Sequence, residues 1–587
     1  MNLDAFQQAA VETSAKRALV TAGPGSGKTR TLVARLAHMV GPMGISPSRV
    51  VAITFTRHAA AEIEERMAGL RIGFVGTLHA FCLRLLLADG ERLGYDRRWL
   101  TIVSDEDLEL EAKEVMEELG LIRRAPRGGY TWQKVTYGQW TAFYATVTSH
   151  GDTTELREAT AKATPIGQLS LFDAWDGLLA RLRAQNLLAY GTILTESLRL
   201  LEDRKTLKHF QEQYRHFVVD EAQDTSHVQW GLIWKLIEKA KPATMFVVCD
   251  LDQAIYQWRG GDPSEIVKMA QDPAWQVYNL GKSYRFGTAI GTAAGRLIAH
   301  NVNRIPKELE CVGPEGKVER ASNCSVDALT KTIRGAVEYY GAANVAVLSR
   351  RHVPLISLES YWQQQGIEIP HVRLGKLANF MGTPAFVTVM AYLKLAANPF
   401  DRRAAMQVTA SEHVSAAEIL DWRRAVLAGS HTWRSAVFGS RLFPDTIPAV
   451  GAYLIDKDPH TDYSAAVAWL TKQTYWRGLE SAVDIVRWIG MADAQDELPK
   501  GAVDGNAVTL CTVHAAKGLE WQCVFLIDLR ADTWPSPRSV KAGNIEEERR
   551  LAYVGITRAK SRLFVCHTVE DAEDQEAESQ FIGEAGL

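Results

Sequence analysis

The sequence predicts an α/β protein made of two sheet-containing units, each interrupted by a long, mainly helical insertion. Three observations predict this. Short β-branched apolar runs recur at Arg17 to Thr21, Val50 to Phe55, Phe217 to Asp220, Met245 to Cys249, Val345 to Leu348, Val508 to Thr512, Cys523 to Ile527 and Leu563 to Cys566, and most are followed by helical periodicity. That is the pattern of parallel strands joined by crossover helices. Two segments, 84–191 and 376–504, carry Leu/Ala/Arg/Glu-rich helical periodicity and lack a buried-strand signal. Finally, 587 residues exceed what one core supports, and roughly 150 residues per domain gives about four compact units. The expected boundaries are 1–83 with 192–279 for the first α/β unit and 84–191 for its insertion; 280–375 with 505–587 form the second unit and 376–504 its insertion. Gly- and Pro-bearing stretches at His371 to Pro384 and Ala494 to Asn506 read as the linkers into and out of the second insertion.

Composition narrows the function classes. Hydrophobic residues at 47% and charged residues at 23% exclude a wholly disordered or membrane-embedded chain. Lys and Arg number 66 against 69 Asp and Glu, a net charge of -3, so any nucleic-acid site has to be a local patch rather than a global field. The seven cysteines form no CxxC pair, which argues against zinc or a disulfide framework and for a reducing compartment. Met1-Asn2-Leu3-Asp4 opens no signal peptide and no run of 18 apolar residues occurs, so a cytoplasmic protein without membrane attachment is expected.

The first chemistry along the chain is Ala22-Gly23-Pro24-Gly25-Ser26-Gly27-Lys28-Thr29, after an apolar strand and before a helical pattern through Leu32, Leu36 and Val40. This is a P-loop in its required context: backbone N–H groups wrap phosphates at a helix N-terminus, Lys28 reaches the β and γ phosphates, and the Thr29 hydroxyl ligates Mg²⁺. A chance glycine turn explains the glycines but not the lysine, the threonine and both flanks. The second is Phe217-Val218-Val219-Asp220-Glu221, a buried strand ending in two acids. Two such carboxylates are costly without a cation. Asp220 is expected to hold Mg²⁺ and Glu221 to polarise the attacking water of nucleoside triphosphate hydrolysis.

Further motifs narrow the class. Val219-Asp220-Glu221-Ala222-Gln223-Asp224-Thr225, Asp250-Leu251-Asp252-Gln253-Ala254-Ile255-Tyr256-Gln257-Trp258-Arg259-Gly260 and Glu546 through Lys560 occur in order. Thr54-Phe55-Thr56, Gly76-Thr77-Leu78-His79, Ser283-Tyr284-Arg285 and His514 through Glu520 fill the remaining motif places. Together they resemble the superfamily 1 DNA helicases of the UvrD, Rep and PcrA type, from Leu3 to about Ile582. The resemblance implies two RecA-like P-loop motor domains with helical insertions, ATP and Mg²⁺ as cofactors, and single-stranded DNA and single-strand/duplex junctions as partners. It implies that Gln7 reads the adenine edge, that Arg30 and Tyr284 sandwich the ring, and that Glu520 touches the ribose. Gln253 becomes the γ-phosphate sensor, and Arg285 and Arg558 become arginine fingers from the second motor. Phe55, Thr77, His79, Tyr256 and Trp258 occupy places near the DNA strand, where flat faces stack on bases without reading sequence. Arg259 and Lys517 support that site.

Departures are few. Ser283 and Phe286 replace the family's Asn and Ser around Tyr284-Arg285, and Arg57-His58 stands where Asn-Lys is common. The acidic run that usually leads out of the first insertion is Ala189-Tyr190-Gly191-Thr192, leaving Tyr190 as a further stacking candidate. The carboxylate-rich Asp105 to Glu118 reads as an exposed helix face, and Trp422, Trp433, Trp469, Trp476 and Trp488 as the packing of a small helical domain. The acidic tail after Arg562 reads as a solvated end docking through Phe581-Ile582. The leading expectation is an ATP-dependent single-strand translocase unwinding 3′ to 5′, a polarity implied by the two insertions, acting as a monomer or weak oligomer. The alternative is the motor subunit of a nuclease or anti-phage defence complex, with weak unwinding of its own and a partner that cuts; the partner class this implies is a nuclease or a repair or defence protein. No fused nuclease domain is expected.

Overall fold

The computed structural model describes residues 3–67, 69–125, 129–163, 170–238, 242–257, 260–374, 381–411, 446–477, 479, 481–493, 506–568 and 577–587, with a few positions between 417 and 432. The chain divides into two compact units. One comprises Met1–Leu78, His209–Gly375 and Leu498–Leu587, the other His79–Lys208 and Lys376–Glu497.

The first unit contains two six-stranded parallel sheets. Strands of the first run in the order Gln276–Leu280, Arg17–Ala22, Thr244–Cys249, His216–Val219, Val50–Thr54, Phe74–Thr77. Its inner strands are apolar on both faces because helices cover both, with Val20, Ala52, Val218 and Val248 meeting Leu32, Leu36 and Ile63 in one core. Since all six strands point the same way, the P-loop, Asp220-Glu221 and Asp250 all follow carboxyl ends on one rim of the sheet. The second sheet runs Lys317–Cys324, Ala559–Thr568, Trp521–Leu526, Val345–Ser349, Val508–Thr512, His371–Arg373. The helix Ile545–Ile556 packs on it, with buried Glu548 taking two hydrogen bonds from Arg350 at 2.8 and 2.7 Å. The short helix Gln580–Glu584 docks through buried Phe581 and Ile582, while Glu584 pairs with Arg549 at 2.7 Å. The acids of the tail at 570–576 lie outside the described residues.

One linker expectation is corrected. His371–Arg373 is not linker but an edge strand registered with Val508 to Leu510, and Pro384 opens the helix Pro384–Ala397. Residues 494–505 of the other linker lie outside the described residues.

The second unit joins both insertions. The first contributes the helices Asp105–Glu118, Tyr137–His150, Thr154–Ala163, Leu171–Ala184 and Tyr190–Leu200. It also holds four short strands that periodicity did not reveal, including the fully buried parallel pair Thr101–Val103 and Leu187–Ala189. Three residues are too few for a readable alternation. The second insertion packs Phe386, Val389, Tyr392, Leu393, Val450 and Leu470 into its own core, with Trp469 and Trp488 against it at 5.9 Å from each other. Trp422, Trp433 and the side chain of Trp476 lie outside the described residues.

The expectation of an exposed Asp105–Glu118 face is overturned. Glu111 has 0% side-chain exposure and accepts hydrogen bonds from Arg402 at 2.7 Å and Arg403 at 3.1 Å; Glu114 takes the other guanidinium bonds of the same two arginines at 2.5 and 2.8 Å. Lys394 reaches Asp107 at 2.9 Å. The carboxylates look solvated in sequence because their cations are distant, Lys394, Arg402 and Arg403 almost 300 residues away and Arg181 more than 60. Glu111→Gln leaves crowded guanidinia short of counter-charge, and we expect a loss of about 3 kcal/mol, as for one broken buried pair. The check is the urea midpoint of the variant; an unshifted midpoint refutes a structural role for the cluster.

Candidate nucleotide and nucleic-acid site

The strand Arg17–Ala22 runs into the P-loop, and the helix Lys28–Val40 starts from it. Gly25 and Gly27 hold φ of 74° and 79°, the left-handed region that favours glycine. A Cβ on Gly25 would stand 2.4 Å from the Arg285 Cβ, and one on Gly27 would stand 2.7 Å from the Gln7 amide nitrogen. Gly25 therefore admits Arg285, and Gly27 admits Gln7. Gln7 is buried by the capping box of the helix Ala5–Val11, and its Nε2 donates to the Ser26 carbonyl at 3.0 Å. The Tyr284 hydroxyl donates to Asp4 at 2.6 Å, and the Arg30 charge is felt at that hydroxyl. Gln7, Arg30 and Tyr284 thus gather at one end of the loop.

The acids follow the next strand. Glu221 takes φ 47°, uncommon for a residue with a side chain and the kind of strain that collects at functional sites. Burial, then the Glu221 charge, push the Asp220 carboxyl up to about 7, while Lys28 pulls the other way. Burial also pushes Glu221 up, but Lys28 and Lys517 outweigh it and hold this carboxyl below its ordinary value. Of the two, Asp220 is therefore the acid that takes a proton more readily, and Glu221 the one that holds the negative charge. Asp220 Oδ1 is buried without a hydrogen-bond partner. An orphaned hard oxygen on the rim that carries the P-loop fits a Mg²⁺ ion.

Residues of the second sheet's domain reach into this rim. Ser283 Oγ donates to the Pro24 carbonyl at 2.8 Å, and the Tyr284 N–H donates to the Gly25 carbonyl at 2.9 Å. Arg285 donates to Glu520 at 2.7 Å and to the Thr557 carbonyl at 3.1 Å. Arg558 is fully buried and donates to Gln253 Oε1 at 2.9 Å, while Gln253 Nε2 donates to Asp250 at 2.6 Å. Burial and the neighbouring Arg285 pull the Arg558 guanidinium below its ordinary value. Glu520 pairs with Arg285 at 2.7 Å and with Lys560 at 2.6 Å, so its carboxylate is taken up by these two cations.

Of the strand-facing candidates, Phe55 and Tyr256 stack on each other with centroids 4.8 Å apart and planes at 24°. The Lys517 ammonium lies 5.0 Å from the Tyr256 ring and 6.0 Å from Phe55, pairs with Asp224 and donates to the Gln253 carbonyl at 2.9 Å. Thr77 ends an edge strand opposite Thr54 and is buried. In the other unit His79 and Tyr190 stack at 4.0 Å and 15°, and burial drives the His79 imidazole down to about 3, a neutral flat ring. Trp258 and Arg259 lie outside the described residues.

Sequence reasoning missed two cations. Lys307 pairs with Asp250 and, at 3.0 Å, with Asp252, while Arg304 grips Asp252 with two hydrogen bonds at 3.0 and 2.8 Å. Both sit in a polar segment without periodicity; a Lys and an Arg three residues apart was the only available signal.

A P-loop, a strand-end acid pair and arginines from a second parallel sheet define a nucleotide-hydrolysing motor with two RecA-like domains. Residues 3–274 match the UvrD/REP helicase N-terminal domain and residues 476–570 the UvrD-like helicase C-terminal domain, together more than half of the chain. The chain belongs to the UvrD/Rep helicase family. The ATP-dependent DNA helicase PcrA of Bacillus subtilis (strain 168) is 27% identical over 99% of this chain and 85% of its own. The ATP-dependent DNA helicase Rep of Escherichia coli (strain K12) is 27% identical over 96% and 90%, and a probable DNA helicase II homolog of Rickettsia conorii is 27% identical over 96% and 92%.

Proposed function

We propose that this protein is an ATP-dependent single-stranded DNA translocase and 3′–5′ DNA helicase whose motors are residues 1–83 with 192–279 and 280–375 with 505–587. The observation that carries this is the meeting of Arg558 with Gln253 and of Arg285 with the P-loop turn at Gly25. Cations from one motor enter the phosphate site of the other, so charge neutralisation depends on how the motors close. Lys28 and the loop N–H groups bind the phosphates, Gln7, Arg30 and Tyr284 hold the base, and Glu221 orients and deprotonates water. Thr29 and Asp220 would hold Mg²⁺, which supplies charge neutralisation on the phosphate oxygens. Gln253 senses the γ-phosphate and reports to Arg558.

On the strand side, Phe55 and Tyr256 offer a stack whose rings are too close to admit a base between them, since two van der Waals gaps need about 7 Å. A base docks on an outer face, or the rings part. Lys517 touches both rings and, through Asp224 and Gln253, the nucleotide side, which gives the two sites a shared element. His79, Tyr190, Thr77 and Trp258 complete the proposed track. The reading as a motor subunit of a nuclease or defence complex gains no support from the relatives.

ATPase measured against oligonucleotide concentration at two salt levels tests this. Single-stranded DNA should stimulate strongly with weak base preference, and duplex little. Trp258→Ala and Tyr256→Ala should each weaken strand binding by about 1 to 3 kcal/mol while basal turnover persists. Unchanged half-saturation in both would remove the stacking role. Unwinding of 3′-tailed but not 5′-tailed duplex tests the polarity.

A further inference from the structure

Lys307 comes from the segment between the helix Thr288–Ala299 and the strand Glu310–Cys311, yet it ends inside the rim of the first sheet. Its side chain is 7% exposed. The ammonium donates to Asp250 Oδ1 and, at 3.3 Å, to the Ala22 carbonyl at the start of the P-loop, and it forms an ion pair with Asp252 Oδ2 at 3.0 Å. Asp250 Oδ2 accepts from Gln253 Nε2 at 2.6 Å and lies 3.8 Å from Lys28 Nζ. One buried carboxylate thus serves two lysines and the glutamine that contacts Arg558.

We propose that Lys307 is a positioning residue for hydrolysis: it holds Asp250 so that Asp250 fixes the Gln253 amide and releases Lys28 to the phosphates. The inference rests on the proposed ATPase reading. An amide has two flips. Only the one with Nε2 toward the Asp250 carboxylate presents Oε1 to Arg558, so a fixed and ionised Asp250 sets the sensor's orientation. Burial pushes the Asp250 carboxyl up, and Lys307 followed by Lys28 more than offsets this and keeps it below its ordinary value. When Lys28 leaves for the phosphates, Lys307 remains as counter-ion, and no buried charge is stranded. Without Lys307, Asp250 retains Lys28 against the nucleotide or takes a proton and turns from acceptor to donor. The first raises KM and the second lowers kcat.

Arg304 provides the contrast. It tethers the same segment through Asp252 and does not touch Asp250.

The experiment is steady-state ATPase at saturating single-stranded DNA for wild type, Lys307→Met, Lys307→Arg, Arg304→Met, Asp250→Asn and the Asp250→Asn/Lys307→Met double variant. Lys307→Met should raise KM for ATP and lower kcat, each by about 10-fold or more, the size of a lost hydrogen bond to a charged group. Lys307→Arg should restore most of kcat. Arg304→Met should lower the melting temperature and leave kcat within about 3-fold of wild type, as for a tether remote from the reacting atoms. In the Asp250→Asn background Lys307→Met should add little. If the two losses instead multiply, or Arg304→Met matches Lys307→Met in both kcat and KM, Lys307 is only a tether and the proposal falls. Should Lys307→Met fold poorly, Lys307→Gln, which keeps hydrogen-bond donors without the charge, must show the same split. A wild type without DNA-stimulated turnover overturns the functional reading itself; an active wild type matched by Lys307→Met overturns this inference alone.

Discussion

Glu221→Gln should bind ATP but turn it over with kcat lower by roughly 10²- to 10⁴-fold, the contribution expected of a positioned general base. The case rests on charge as well as place. Of the two adjacent acids, Glu221 is the one whose charge Lys28 and Lys517 favour, while burial raises the Asp220 carboxyl. Glutamine keeps the side-chain length and the hydrogen-bonding capacity toward Gln223 but cannot take a proton. Lys28→Ala differs in kind, since it removes the phosphate contact and weakens binding together with turnover. Fluorescent-nucleotide binding beside the ATPase rate separates the two. Normal turnover in either variant, or loss of binding in Glu221→Gln, would undo the active-site assignment.

Arg285→Ala and Arg558→Ala should each lose roughly 10³-fold or more in kcat if they act as finger arginines, with a much smaller change in nucleotide affinity. Their surroundings differ, and so should the details. Arg558 already touches the sensor glutamine and is buried, so its removal also strands Gln253 Oε1. Arg285 is tied to Glu520 and has to exchange that carboxylate for phosphate on closure. Glu520→Gln should therefore ease the release of Arg285, and kcat should fall far less than in Arg285→Ala. Single-turnover hydrolysis with saturating single-stranded DNA reads the difference; equal loss of binding and turnover in the arginine variants would make both residues structural.

The eight runs read from the sequence are the eight interior strands of the two sheets. The four strands that escaped, Phe74–Thr77, Gln276–Leu280, Lys317–Cys324 and His371–Arg373, are the four edges. The physical reason is burial: an interior parallel strand is apolar on both faces, whereas an edge such as Gln276–Leu280 shows solvent much of its length and carries polar residues. The phosphate loop and acid pair were legible because backbone geometry and metal chemistry demand particular residues at fixed spacing. The ion cluster around Glu111 and the Lys307–Asp250 pair were not, because a partner distant in sequence leaves no local mark.

The position of the strand Ala559–Thr568 has a consequence for how the chain is made. It lies between Lys317–Cys324 and Trp521–Leu526, so the strand of this sheet that is made last is an inner one. Until residue 568 clears the ribosome, the second sheet is split and two strand edges face the solvent with their N–H and C=O groups unmatched. The first sheet needs nothing beyond Leu280 and can close early. Translation that stalls between those points leaves a finished first sheet, its rim still without Arg558, attached to an open, adhesive half-sheet, the species on which chaperones would act and from which aggregates would grow.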